Sequence, residues 1–265
     1  MKIGLVNLCS NTDIAHWSSY EKDFGFLNEN NIAYKDFASG KSGNKDLFEG
    51  FKEAISDPEV SLIWFVSGGI KMIEHLDNIN WQTIENSQKT FIGLSDFTHF
   101  SLIAGNHNVS CYYGLALKNI TKYYTTIQQK EIASFLKTAI HGEKSGLVYE
   151  NENIITGGHL GTTIFMLNSF NIDISEKTLF IEHHYIPGET LEDLKYYIHQ
   201  LCITLINKNI SPTSFLLGHS MLFKQDNTPM DFTLINKSVK DVLKEYFTDH
   251  KINEVDHFTK IINMK

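Results

Sequence analysis

SLIWFVSGGIKMIEHLDNINWQTIENSQKTFIGLSDFTHF, residues 61–100, is the stretch whose reading decides the fold. It holds two short apolar runs, LIWFV at 62–66 and TFIGL at 90–94. Both are rich in β-branched and aromatic residues and end on small or polar ones, the signature of strands buried in a parallel sheet. Gly68-Gly69 follows the first run and Ser95-Asp96 the second. Between them, Ile70, Ile73, Leu76 and Ile79 recur at three-residue steps and predict a helix over 70–87. A strand–turn–helix–strand unit of this kind places ligand chemistry at the carboxyl ends of its strands. Paired glycines permit a tight turn whose main-chain N–H groups can face an anion or a developing oxyanion.

Outward from this unit the same alternation continues. Residues 2–8 predict a first buried strand ending at Cys9-Ser10-Asn11, followed by a helix over 17–30, a strand over 32–37 and a helix over 45–55. Asp57-Pro58 closes that helix, because the residue before proline is pushed out of the α region. Beyond Thr98 the reading is a helix to about 104, a strand at 109–113 ending at Gly114, and an amphipathic helical segment over 118–141. The order predicts an α/β fold, a mostly parallel sheet with helices on both faces. From Gly146 the signals change. Strands at 147–149, 154–155, 178–181 and 215–217 and helices at 191–206 and 238–247 predict a smaller C-terminal domain of mixed α/β character. The domains are drawn at 1–141 and 142–265, with the cleft between them.

The 265 residues suffice for one large domain or two small ones, and 42% apolar with 20% charged residues is ordinary for a soluble globular protein. A net charge of −8 argues against nucleic acid or an anionic membrane as the main partner, since binding either usually relies on a basic patch. Cys9, Cys111 and Cys202 are far apart, odd in number and without CxxC spacing, which fits reduced thiols in the cytoplasm. No segment is long and apolar enough to span a bilayer, and MKIGLVNLCSN reads as a strand.

An apolar strand ending in Gly-Gly, a short helix and a strand ending G-x-S-D-F-T resemble the LD-carboxypeptidases and their microcin-immunity relatives, serine peptidases with a Ser–Glu–His triad. The likeness continues through GGHLGTTIFML, where His159 stands for the family's usual asparagine, and through LFIEHHYIPGETLEDLKYYIHQL. It implies a triad glutamate at Glu182, a substrate-side turn at Gly68, Gly69, Ser95 and Asp96, and a nucleophile three residues after the second glycine. That last position is Met72, and the segment up to Asp77 is about three residues shorter than the family's.

For the histidine two positions stay open. His219, in Gly-His-Ser, resembles the family's glycine–histidine turn but follows Glu182 too soon. His257 fits the order of elements but lacks the preceding glycine. Glu182-His183-His184 does not predict a metal site, because neighbouring strand residues point to opposite faces and no HExxH spacing accompanies them. No cofactor is implied. Ser95 lacks the G-x-S-x-G elbow of a strand-end nucleophile, and Ser95-Asp96 also reads as a helix cap. Two functions follow. One, implied by the resemblance, is a cytoplasmic, homodimeric amidase acting on a murein peptide or a peptide–nucleotide conjugate. The other is a non-catalytic protein of the same fold that only holds a peptide-like carboxylate.

Overall fold

The computed structural model describes every residue except 12, 119, 144, 150–153, 184–188, 221–230, 256–259 and 265; for His219 and Ser220 it describes the main chain alone. The described strands are β1 (Lys2–Val6), β2 (Tyr34–Asp36), β3 (Val60–Phe65), β4 (Thr90–Gly93), β5 (Cys111–Tyr113), β6 (Val148–Tyr149), β7 (Ile155–His159), β8 (Thr178–His183), β9 (Ser214–Ser220), β10 (Lys251–Glu254) and β11 (Ile261–Met264). The helices are α1 (Tyr20–Glu29), α2 (Gly43–Ser56), α3 (Trp81–Ser87), α4 (Thr98–Ala104), α5 (Ile120–Tyr123), α6 (Thr126–Ala139), α7 (Leu160–Ser169), α8 (Leu191–Asn207) and α9 (Phe232–Tyr246).

Two sheets result, as the alternation of strands and helices predicts. The first has seven strands in the order β2-β1-β3-β4-β5-β11-β6, and the second four, β10-β9-β8-β7. All pairings are parallel except β11 against β5. Residues beyond 141 therefore supply β6 and β11 to the first sheet, which a reading of successive segments does not show.

The apolar runs bury both faces of the first sheet. Leu62 and Trp64 of β3 join Ile3, Leu5 and Ile92 in a cluster covered by Phe24, Phe26 and Leu27 of α1 and Phe135 and Leu136 of α6. Ile63 and Phe65 turn the other way, into a cluster with Phe51 of α2 and Phe100 of α4. That second cluster continues without a break into Phe180 and Phe215 of the second sheet. One hydrophobic core thus spans both sheets and fixes their carboxyl edges relative to each other.

The helix expected over 70–87 is two pieces, a 3-10 helix at Met72–Asn78 and α3, separated by Asn80, which caps α3 by accepting from Thr83 N–H. The three-residue spacing of Ile73, Leu76 and Ile79 is the repeat of a 3-10 helix, not of an α-helix. Leu76 and Ile79 are buried, whereas Ile70 is 80% exposed and lies outside the helix.

Candidate functional site

The carboxyl ends of β1, β3 and β4 meet in the first sheet. After β3 the chain makes the Gly68-Gly69 turn, which lies directly on the end of β1: a Cβ placed on Gly69 would stand 1.7 Å from the Cys9 carbonyl oxygen. No side chain fits there, so glycine is imposed by the close approach of two main chains. The Cys9 carbonyl accepts from Ile70 N–H at 3.1 Å and Lys71 N–H at 3.3 Å. Amides expected to face a ligand are thus taken up within the protein directly after the glycines. Ser67 is buried as well, its hydroxyl donating to Asn7 Oδ1 at 2.8 Å.

Met72 is fully buried and belongs to the core that holds Phe65, Phe97 and Phe100. Its N–H donates to Asp96 Oδ2 at 2.8 Å, so the carboxylate of the β4–α4 turn caps the start of the 3-10 helix. Asp96 is itself buried, with His99 Nδ1 2.9 Å from its Oδ1. The Cys9 thiol also bonds to Asp96. Burial first, then the Asp96 charge and that bond, push the thiol's pKa well above its ordinary value.

Ser95 takes a left-handed main-chain conformation, φ 58°, uncommon outside glycine and asparagine. Both its main-chain groups are engaged: its N–H donates to the Tyr113 hydroxyl at 2.8 Å, and its carbonyl accepts from Thr98 Oγ1 at 2.6 Å. A Cβ on Gly68 would lie 3.0 Å from Ser95 Cβ, which puts the glycine turn and the serine side by side.

The second sheet contributes Glu182, fully buried on β8. Its Oε1 accepts from the Tyr113 hydroxyl at 2.6 Å. Burial, the Glu182 charge and this bond hold the Tyr113 phenol well above its ordinary pKa. Gly158 of β7 makes the junction possible. With φ +139°, a Cβ there would lie 2.4 Å from Thr98 Oγ1 and 2.9 Å from the Tyr113 ring. The neighbouring His159 N–H donates to Thr98 Oγ1 at 2.9 Å, and the His159 ring accepts from Thr162 N–H at the start of α7.

The structure therefore gathers Gly68, Gly69, Met72, Ser95, Asp96 and, through Tyr113, Glu182 into one connected cluster between the sheets. His219 lies near the carboxyl end of β9, but its side chain is not described, and His257 lies outside the described residues. His183 turns away from Glu182, its Nε2 lying 2.8 Å from Glu189 Oε2. Among the described residues no group of three or more His, Cys, Asp or Glu could hold a metal ion. Tyr113 and Thr98 are the members that sequence reasoning missed. Their partners lie in distant segments, Tyr113 and Glu182 being 69 residues apart, and no local spacing announces such contacts.

Residues 4–114 match the model of the LD-carboxypeptidase N-terminal domain, Peptidase_S66. No curated protein matches the chain in sequence. Among solved structures, the chain is similar to a muramoyltetrapeptide carboxypeptidase from Oxalobacter formigenes, with 17% identity and a TM-score of 0.73 over 99% of this chain and 92% of that one. It is also similar to the microcin C7 self immunity protein MccF in complex with aspartyl sulfamoyl adenosine, with 14% identity and a TM-score of 0.75 over 99% and 90%. A third likeness is to an MccF-like protein from Bacillus anthracis str. Ames, with 17% identity and a TM-score of 0.72 over 99% and 91%. At these identities the likeness is one of fold.

Proposed function

We propose, on the premise that residues 4–114 belong to the LD-carboxypeptidase family, that this chain binds a small peptide-like ligand with a free carboxylate and does not hydrolyse it through an acyl-enzyme. The observation that carries the reading is Met72. The residue that the resemblance puts at the nucleophile position has no hydroxyl, is fully buried in the core, and has its N–H held by Asp96. A thioether cannot attack an amide, and losing the nucleophile of such a triad removes about 10⁶-fold of rate in a serine protease. In support of a binding site, the glycine turn and the Ser95-Asp96 turn lie side by side and are joined to the buried Glu182 through Tyr113.

The ligand class comes from the relatives, one bound to aspartyl sulfamoyl adenosine and one a muramoyltetrapeptide carboxypeptidase. Murein peptides and peptide–nucleotide conjugates are accordingly the two chemistries to test. Gly68, Gly69, Met72, Ser95 and Asp96 form the substrate side in this reading, and Glu182, with His219 or His257, is what remains of the triad. A cytoplasmic location is supported by three buried free thiols, and a homodimer is carried over from the resemblance.

The test combines two measurements on the wild-type protein. Intact-mass analysis after treatment with a fluorophosphonate is expected to show no adduct. Calorimetric titration with aspartyl sulfamoyl adenosine and with a murein tetrapeptide is expected to show binding of at least one. An adduct mapped to Ser67 or Ser95 overturns the non-hydrolytic reading, and failure of both ligands to bind removes the ligand class.

A further inference from the structure

We propose that Tyr113 is the positioning residue for Glu182: its hydroxyl, not an imidazole alone, fixes the carboxylate and ties it to the Ser95 turn. The proposal rests on the reading of the site given above. It goes beyond that reading in assigning a role to a residue outside the Ser–Glu–His set.

The argument is a count of protons. A phenol has one proton and accepts on its oxygen. Ser95 N–H points at the Tyr113 oxygen from 2.8 Å and can only donate, so the phenol proton is left for Glu182 Oε1 at 2.6 Å. Thr98 obeys the same rule. Its oxygen accepts from His159 N–H at 2.9 Å, and its proton goes to the Ser95 carbonyl at 2.6 Å. Each bond thereby sets the direction of the next, and such chains reinforce one another in a low-dielectric interior.

Neither end of the Tyr113–Glu182 bond is free to drift. The Tyr113 ring is fully buried edge-on against Phe180, with centroids 5.4 Å apart, and Glu182 is fully buried on β8. A carboxylate in such a place is costly unless hydrogen-bonded, and a short bond from a hydroxyl is among the stronger ways to meet that cost. Glycine at 158 removes the side chain that would push β7 off Tyr113 and Thr98. The left-handed turn at Ser95, beside Gly68, is thus linked to Glu182 by two hydrogen bonds through a single oxygen atom. A ligand that shifts Ser95 is felt at Glu182, and the reverse.

Tyr113→Phe removes the hydroxyl and keeps the ring. The ionisable groups on the elements around Glu182 are Tyr113 on β5, Asp96 and His99 at the β4–α4 turn, His159 on β7, His183 on β8, whose ring turns to Glu189, and His219 on β9, whose side chain is not described. Of these, Tyr113 donates to Glu182 Oε1 at 2.6 Å. Loss of that donor disfavours the charged carboxylate, so its titration midpoint rises, by about one pH unit or more. The midpoint is read from the side-chain carboxyl ¹³C resonance, assigned by its disappearance in Glu182→Gln. Tyr124→Phe is the control, since it removes another buried hydroxyl, one that donates to the Gly114 carbonyl. It is expected to leave the Glu182 midpoint in place.

Affinity for aspartyl sulfamoyl adenosine is expected to fall about 10- to 100-fold in Tyr113→Phe, the scale of a hydrogen bond to a charged group. If Tyr113→Phe does not fold, 3-fluorotyrosine at position 113 keeps the hydroxyl, makes it a stronger donor and is expected to move the midpoint down. An unmoved midpoint in the phenylalanine variant, or in the fluorotyrosine protein where that variant does not fold, overturns the proposal. If the wild type binds no ligand yet the midpoint moves, the binding reading fails and the positioning role stands. If ligand binds while the midpoint stays, the reverse holds.

Discussion

Replacing Met72 asks whether this residue lines a working cleft or belongs to the core. Met72 has 0% of its surface exposed and lies in the cluster with Phe65, Phe97 and Phe100. Truncating a buried methionine to alanine costs about 2–5 kcal/mol, transfer and cavity terms together. For Met72→Ala we take about 3 kcal/mol. Met72→Ser truncates as far and sets a polar hydroxyl in that apolar cluster with the Asp96 carboxylate as its nearby acceptor, so its further cost is the lower end of about 1–3 kcal/mol. Met72→Leu conserves volume and is expected to cost less than about 1.5 kcal/mol. For a chain of this size 1 kcal/mol moves Tm by roughly 2–4 °C, so the alanine variant falls by roughly 6–12 °C and the serine variant further. Urea unfolding followed by circular dichroism checks the order Leu, Ala, Ser, with the slope m unchanged. Folded Met72→Ser is expected to stay unlabelled by a fluorophosphonate, because its hydroxyl lies below the surface. A serine variant as stable as the wild type, or one that gains an adduct at position 72, refutes the placement of this side chain in the core.

Three more outcomes follow from the geometry. Gly69→Ala places a Cβ on the Cys9 carbonyl, so it is expected to force the turn open and cost more than about 2 kcal/mol, measured by the urea midpoint. Native protein is expected to react with a thiol reagent only as it unfolds, because all three cysteines are buried and burial drives the pKa of Cys202 up to about 12 and those of Cys9 and Cys111 well above the ordinary value. Prompt release of chromophore from the native state would contradict this. Burial also lowers the pKa of His75, which stacks flat on Phe48 with centroids 5.6 Å apart. The unfolded chain then takes up this proton at higher pH than the folded one. His75 thus contributes stability that is present above about pH 6.5 and is lost as pH falls from there towards its folded-state pKa. Unfolding free energies of His75→Phe are expected to vary less than those of the wild type between pH 7 and 5. An equally steep profile in the variant would show that another group is responsible.

The parts of the fold legible in the sequence are those whose signal is local. β1, β3 and β4 are continuous apolar runs, and α2 and α8 stand between polar caps, Thr190 pairing with Asp193 in a capping box at the start of α8. β10 and β11 carry no such signal. KINE has no fully buried position, and IINM is short and flanked by polar residues, so both are strands only because a partner lies ready. α7 is hidden in LGTTIFMLNS, whose glycine and paired threonines do not favour a helix; His159 starts it by accepting from Thr162 N–H. At the site, Gly68, Gly69, Ser95, Asp96 and Glu182 were visible as strand-end residues. That Asp96 turns inward to cap Met72, and that Tyr113 reaches Glu182 from the other sheet, depends on how two sheets are docked and has no local expression.

β11 has a further consequence for how the chain reaches this state. It lies between β5 and β6 and is the antiparallel partner of β5, Met264 opposite Cys111 and Ile262 opposite Tyr113. The two strands are separated by on the order of 150 residues, so this pairing has a high entropic cost of loop closure and belongs among the late events of folding. Until it forms, the main-chain groups on one side of Cys111–Tyr113 have no strand to bond, and an open apolar edge of that kind invites pairing with another chain. The tyrosine at the centre of the site therefore sits on the strand that waits longest for its neighbour. Assembly of the site is coupled to completion of the sheet, and a refolding experiment should recover the Tyr113–Glu182 contact together with β11, in a single slow, concentration-sensitive phase.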